Sequence, residues 1–214
     1  MRQRHRQLER ARLYLVCGER SDEFLERVLR GGVDLVQLRI KDGAPDERIV
    51  AVARRYAAVC ADHGALLILN DRPDLVVAGG ADGVHVGQDD ASVARARELV
   101  GEERLVGLST HSPAQIDAAN DAGVDYIGVG PIHATPTKPG RPAVGLELVS
   151  YAARRATVPF FAIGGIDESG AEAVARAGAR RIAVVRALTE AEDPERAAQA
   201  LRARLGGEVG VGAS

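Results

Sequence analysis

The sequence predicts an α/β chain folded as a single-domain (β/α)8 TIM barrel, and three observations carry that expectation. Eight short Val/Ile/Leu-rich runs recur along the 214 residues, separated by stretches with helical periodicity. A Gly, a small residue and usually an Asp precede every second run, at Gly32-Val33-Asp34, Gly80-Ala81-Asp82, Gly123-Val124-Asp125 and Gly178-Ala179-Arg180. Each Gly suits the left-handed position just past a helix. The spacing of the recurrences, about two strand-helix units, describes βαβα quarters, and these close most naturally into a barrel. An open doubly wound sheet is the alternative. It is disfavoured because no G-x-G-x-x-G turn follows the first strand and the repeats run the whole length.

Taken in order, the basic residues 1–12 read as a flexible extension, and the first strand spans Leu13 to Cys17. The second runs from Leu35 to Arg39, after a Val33 to Val36 stretch of buried parallel type. A helix is expected over Asp46 to His63, with Ile49, Val52, Ala53, Tyr56 and Val59 on one side. Strands follow at Leu66 to Asn70, Gly83 to Val86, Leu105 to Ser109 and Tyr126 to Val129. Connections are tight except for Gly130 to Val144. Phe160 to Ile163 is the seventh strand, Ser169 to Ala177 a helix with Ala173, Val174 and Ala177 on one side, and Ile182 to Val185 the eighth strand. The barrel is thus assigned to residues 13–205, and Gly206 to Ser214 reads as a flexible tail.

A composition of 46% hydrophobic and 27% charged residues suits an ordinary globular core, and a net charge of -2 gives no pull towards nucleic acid. No apolar run reaches membrane-spanning length, and the basic N-terminus lacks the apolar stretch of a secretory signal, so a cytoplasmic protein is expected. Cys17 and Cys60 have no metal or redox spacing and read as buried free thiols.

Barrels of this kind build their active sites at the C-terminal ends of the strands. Gln37-Leu38-Arg39-Ile40-Lys41 turns three polar side chains to one face, which asks for an anionic partner rich in phosphate. Asp71 and Asp90 end adjacent strands and could share a hard cation such as Mg2+, with Asp89 as a competitor for that role. Arg39, Lys41 and Lys138 would surround the same phosphate oxygens, as expected where a diphosphate is bound or expelled; a structural ion-pair network is the alternative. Gly164-Gly165 and Val185-Arg186 fall where barrels bind a phosphomonoester through main-chain amides, although the Gly pair alone could be a tight turn. The Thr135 to Gly140 loop is a candidate lid. His85 reads as a hydrogen-bonded core residue, His133 as loop structure, and His111 lies open between structure and chemistry. Hydrolase and nucleic-acid readings find no support, since no metal-type His spacing, nucleophile elbow or interleaved aromatics occur.

The strand ends in order resemble those of the thiamine phosphate synthase family, from Leu13 to about Leu205. The resemblance rests on Gln37-Leu38-Arg39-Ile40-Lys41, Asn70-Asp71, Asp82 through Asp90, Ser109-Thr110-His111, Gly130-Pro131-Ile132 with Thr135-Pro136-Thr137-Lys138, and Ala162-Ile163-Gly164-Gly165-Ile166. It implies a (β/α)8 transferase that joins hydroxymethylpyrimidine diphosphate to a thiazole phosphate and releases pyrophosphate. By the same resemblance, Gln37, Arg39, Lys41, Asn70 and Lys138 would hold the pyrimidine diphosphate, and Ser109 would contact the pyrimidine or its leaving group. Asp71 and Asp90 would hold Mg2+, while Thr135, Thr137, Gly165, Val185 and Arg186 would hold the thiazole phosphate. Arg39, Lys41 and Lys138 are the implied catalytic cations. The family commonly has Ser where this chain has Arg186.

Two rivals share the barrel. A thiazole tautomerase needs only the thiazole phosphate and has no use for the diphosphate and metal residues. A non-catalytic regulator would sense a phosphorylated metabolite in the same pocket. Small-molecule substrates are the expected partners, with no nucleic acid and no membrane, and a homo-oligomer is compatible with the sequence.

Overall fold

The computed structural model describes residues 3–40, 43–134 and 142–205. They form a closed barrel, β1 to β8 in chain order, in which every neighbouring pair is parallel, including β8 on β1. The strands are β1 Leu13–Cys17, β2 Leu35–Leu38, β3 Leu66–Asn70, β4 Gly83–Val86, β5 Leu105–Thr110, β6 Tyr126–Val129, β7 Phe160–Ile163 and β8 Ile182–Val184. The fold class is as expected, and strand ends differ from expectation by a residue at β2, β5 and β8. Outside lie α2 Asp22–Arg30, α3 Asp46–Asp62, α4 Val93–Val100, α5 Pro113–Ala119, α6 Gly145–Arg155, α7 Glu168–Arg176, α8 Arg186–Thr189 and α9 Pro194–Arg204.

Alternation along the strands separates two cores. Tyr14, Leu35, Leu66, Ile68, Leu105, Tyr126, Phe161 and Ala183 pack together inside the barrel. Their neighbours, such as Leu13, Val36, Leu67, Val106 and Ile127, face the helices, where Val28, Ala53, Ile116, Val149 and Val174 cover them. In α7, Ala171 rather than Ala173 is buried with Val174, because the side chains three apart share the inner face. Between β3 and β4 only a 3₁₀ turn, Pro73–Leu75, stands in place of a helix. Pro73 opens that turn, and the Gly79-Gly80 pair follows too soon for a full helix.

The Gly-small-Asp repeat has a physical account at the N-terminal end of the barrel. All four glycines adopt positive φ, between 70° and 105°. The Asp carboxylates then accept backbone amides from the preceding strand: Asp34 from Leu13, Asp82 from Leu67 and Asp125 from Val106, at 2.7–3.0 Å. Each is also paired with a cation, Asp34 with Arg202, Asp82 with Arg4 and Asp125 with Arg97.

The N-terminal extension is corrected by the structure. Gln3–Arg10 form helix α1, whose Leu8 is buried in the interior core and closes the bottom of the barrel. Arg4 bonds Asp82, His5 bonds Asp125, and Gln7 donates to the Gly64 carbonyl. A single apolar residue among polar ones carries no helical pattern, and its partners lie on distant strands, so no local signal marks this helix. The Gly206 to Ser214 tail lies outside the described residues. Among those described, no helix is long and apolar enough to cross a membrane.

Both thiols are buried and free. Burial pushes Cys17 and Cys60 up from 9.0 to about 12. The folded state therefore holds these protons more tightly, and that contribution to stability is present below pH 9.0 and lost as pH rises towards about 12. Native protein at pH 8 is expected to resist a thiol-specific chromogenic reagent and to react at both cysteines in denaturant; rapid native labelling would contradict the burial. Asp125→Ala is expected to cost about 2–4 kcal/mol in urea unfolding, since Val106, Arg97 and His5 all lose a partner.

Candidate active site

A cavity of ≈ 350 Å³ opens at the C-terminal ends of the strands. The alternation that sends Leu35, Ile68 and Leu105 into the interior brings Gln37, Asn70 and Ser109 to its wall one or two layers higher. Arg39 follows Gln37 there, its backbone amide still bonded to the Cys17 carbonyl at 2.8 Å. Across the mouth stand Gly165, Val185 and Arg186. One cavity therefore gathers Gln37, Arg39, Asn70, Ser109, Gly165, Val185 and Arg186. Lys41, Thr135, Thr137 and Lys138 lie outside the described residues.

The floor is a run of buried polar groups. Gln37 Nε2 donates to Tyr14 Oη at 2.6 Å, Tyr14 Oη pairs with Tyr126 Oη at 2.9 Å, and Tyr126 Oη lies 3.2 Å from His85 Nδ1. His85 Nε2 in turn lies 2.9 Å from Ser109 Oγ. Tyr14, His85 and Phe161 face the cavity, and Tyr126 lies fully buried beneath it. Burial pushes both phenols well above their ordinary range, so they stay protonated. His85 is thus a hydrogen-bonded interior residue, as expected, but one exposed to the site. Tyr14 and Tyr126 carry no sequence signal beyond aromatic residues on buried strands, which core packing alone would explain.

Asp71 and Asp90 follow the paired strands β3 and β4, whose register sets Asn70 beside His85. Neither carboxylate lines the cavity itself. Asp71 is held in the left-handed region, φ 58°, with its amide on the His85 carbonyl at 2.9 Å and Asn70 Nδ2 donating to its Oδ2 at 2.5 Å. Asp90 Oδ2 accepts the Gly87 amide at 2.9 Å. Among the described residues, no group of three or more His, Cys, Asp or Glu side chains forms a ready-made metal cage.

The Gly pair after β7 is sterically required. Gly164 has φ 108°, and a Cβ there would stand 2.5 Å from Pro131 Cα; Gly165 has φ 64°, and a Cβ would meet His133 Cβ at 2.8 Å. His111 Nδ1 lies 2.5 Å from the Gly130 carbonyl, which can only accept, so Nδ1 carries the proton. The His133 amide donates to the Gly164 carbonyl at 3.0 Å, in keeping with a loop role. Asp167 caps α7, accepting from Gly170 and Ser169, and these bonds hold its carboxyl below the usual range.

The family model described as thiamine monophosphate synthase matches residues 13–188. The chain belongs to the thiamine monophosphate synthase family. It is 53% identical over 191 residues to the thiamine-phosphate synthase of Gloeobacter violaceus, covering 88% of this chain and 56% of that protein. The thiamine-phosphate synthase of Saccharopolyspora erythraea is 51% identical over 211 residues, with 93% and 95% covered. The chain spans 56% and 58% of the length of its Gloeobacter violaceus and Nostoc punctiforme relatives. Among solved structures, the thiamine phosphate pyrophosphorylase of Pyrococcus furiosus superposes with a TM-score of 0.84 at 29% identity, covering 94% of this chain and 96% of that one. A 3-hexulose-6-phosphate synthase, at 0.67 and 21% identity, shares the fold alone.

Gly164→Ala is expected to destabilise the protein by about 1–3 kcal/mol, since the new methyl meets backbone at a positive φ. Urea unfolding checks this; an unchanged midpoint would show that the turn has room to move.

Proposed function

We propose that the protein is a transferase that joins 4-amino-2-methyl-5-hydroxymethylpyrimidine diphosphate to hydroxyethylthiazole phosphate, giving thiamine phosphate and pyrophosphate. One observation carries this reading. Residues that the family resemblance assigns to both substrates, Gln37, Arg39, Asn70 and Ser109 on one side and Gly165, Val185 and Arg186 on the other, share a single cavity.

A dissociative substitution suits such a site. The aminopyrimidine delocalises positive charge at its methylene as pyrophosphate departs, and the thiazole nitrogen captures the cation. The protein's task is to neutralise the leaving group, align two rings and exclude water. Arg39, Lys41 and Lys138 would meet the diphosphate oxygens, with Gln37, Asn70 and Ser109 fixing the pyrimidine end. Thr135, Thr137 and the amides of Gly165, Val185 and Arg186 would hold the thiazole phosphate, and the Arg186 guanidinium adds a permanent charge to that half. Asp71 and Asp90 are hard oxygen donors at consecutive strand ends and fit Mg2+, which needs one or two carboxylates beside phosphate and water. Bound there, the ion would offset charge on the departing pyrophosphate. Phosphorylated substrates suit a cytoplasmic enzyme. Each barrel would carry a full set of these residues, so the reaction would not require a homo-oligomer.

Purified protein given both substrates is expected to release pyrophosphate and thiamine phosphate in step, and only with a divalent cation. No product under any metal condition would overturn the assignment. Asp71→Ala and Lys41→Ala are each expected to lower kcat by about 100-fold or more while leaving thiazole phosphate affinity within a few fold. Equal losses in both would mark the two residues as structural.

A further inference from the structure

We propose that the buried chain Gln37–Tyr14–Tyr126–His85–Ser109 is a one-way hydrogen-bond relay that fixes which atoms of the cavity donate and which accept. On this account Tyr14, Tyr126 and His85 are positioning residues for pyrimidine selectivity. The inference rests on the proposed synthase reading for the identity of the ligand, but the relay itself is a property of the protein alone.

Proton inventory sets the direction. Gln37 Nε2 can only donate, so Tyr14 Oη accepts it, and in the proposed relay Tyr14 gives its single proton to Tyr126 Oη. Tyr126 Oη has then accepted one bond and gives its own proton to His85 Nδ1. With Nδ1 as acceptor, the neutral imidazole carries its proton on Nε2 and donates to Ser109 Oγ. The Ser109 proton is thereby released for an acceptor in the cavity, while Gln37 Oε1, at the other end, is left to accept.

Both ends line the cavity, and Tyr126, fully buried, does not. A substrate with an exocyclic amino group matches the accepting Gln37 carbonyl; an oxo group in its place would set oxygen against oxygen. Turning the Gln37 amide would relieve that clash only if every later link reversed with it, including the His85 tautomer. The barrel makes room for this coupling. At Gly107 a Cβ would stand 2.2 Å from the Tyr126 ring and 2.6 Å from His85 Nδ1, so the central link exists only beside glycine.

Two measurements test the relay. In the free wild-type protein, 15N spectra of the His85 ring are expected to show the Nε2–H tautomer; the Nδ1–H tautomer would overturn the proposal whatever the enzyme catalyses. Tyr126→Phe cuts the chain without touching the cavity. Its preference in kcat/KM for the 4-amino over the 4-oxo pyrimidine diphosphate is expected to fall by about tenfold or more, with the KM for thiazole phosphate unchanged. A folded Tyr126→Phe that loses activity equally on both pyrimidines would show a packing role only and would overturn the proposal. If the variant does not fold, Tyr14→Phe provides the same comparison one link earlier. Absence of turnover by the wild-type enzyme would instead strike the synthase reading, and with it the selectivity assigned to the relay, while leaving the tautomer result standing.

Discussion

Closure of the parallel barrel is the constraint on which everything else depends. Because β8 pairs with β1, every second side chain on each strand is committed to one shared interior with no edge through which to escape. That interior is filled in layers. Leu8 from α1 closes the bottom, Leu35, Leu66 and Leu105 fill the middle, and the polar chain from Gln37 to Ser109 lies just under the cavity. The cavity is therefore the top of a filled column, and its floor packs directly on the core beneath it.

The two ends of the barrel divide the electrostatic work. At the bottom, Asp34, Asp82 and Asp125 each bind a strand amide and a cation, so charge is spent locally on holding neighbouring strands in register. At the top, Arg39 and Arg186 line the cavity. The same backbone repeat that needs an Asp below leaves strand ends above free to carry different side chains, which is how a repetitive fold supports a site without internal symmetry.

The barrel was legible because its signals are periodic: apolar runs of strand length and the Gly-small punctuation, followed by Asp in three of four cases, that marks each quarter. The lining of the candidate site was legible where polarity broke that pattern, as at Gln37 and Arg39. What was not legible depends on long-range partners. Leu8 closes the barrel only because strands far along the chain converge on it, and the Tyr14–Tyr126 contact joins β1 to β6 across the interior at 2.9 Å. No local pattern distinguishes a core tyrosine from one whose hydroxyl completes a chain. Helix α7 shows a smaller failure of the same kind, since Ala171 and Ala173 are chemically identical and only packing chooses between them.

The polar floor also bears on how the carbocation-like species of the proposed reaction would survive in this cavity. An exposed lone pair in the floor could capture it in place of the thiazole nitrogen, and a phenolate or an imidazole nitrogen would be such a group. Burial keeps Tyr14 and Tyr126 protonated by raising both well above the ordinary phenol range. The relay as proposed occupies the His85 Nδ1 lone pair with the Tyr126 proton and turns its N–H, rather than a lone pair, towards Ser109. Under the proposed dissociative reaction, hydrogen bonds that consume the lone pairs of this floor would work alongside the cations that receive the leaving group.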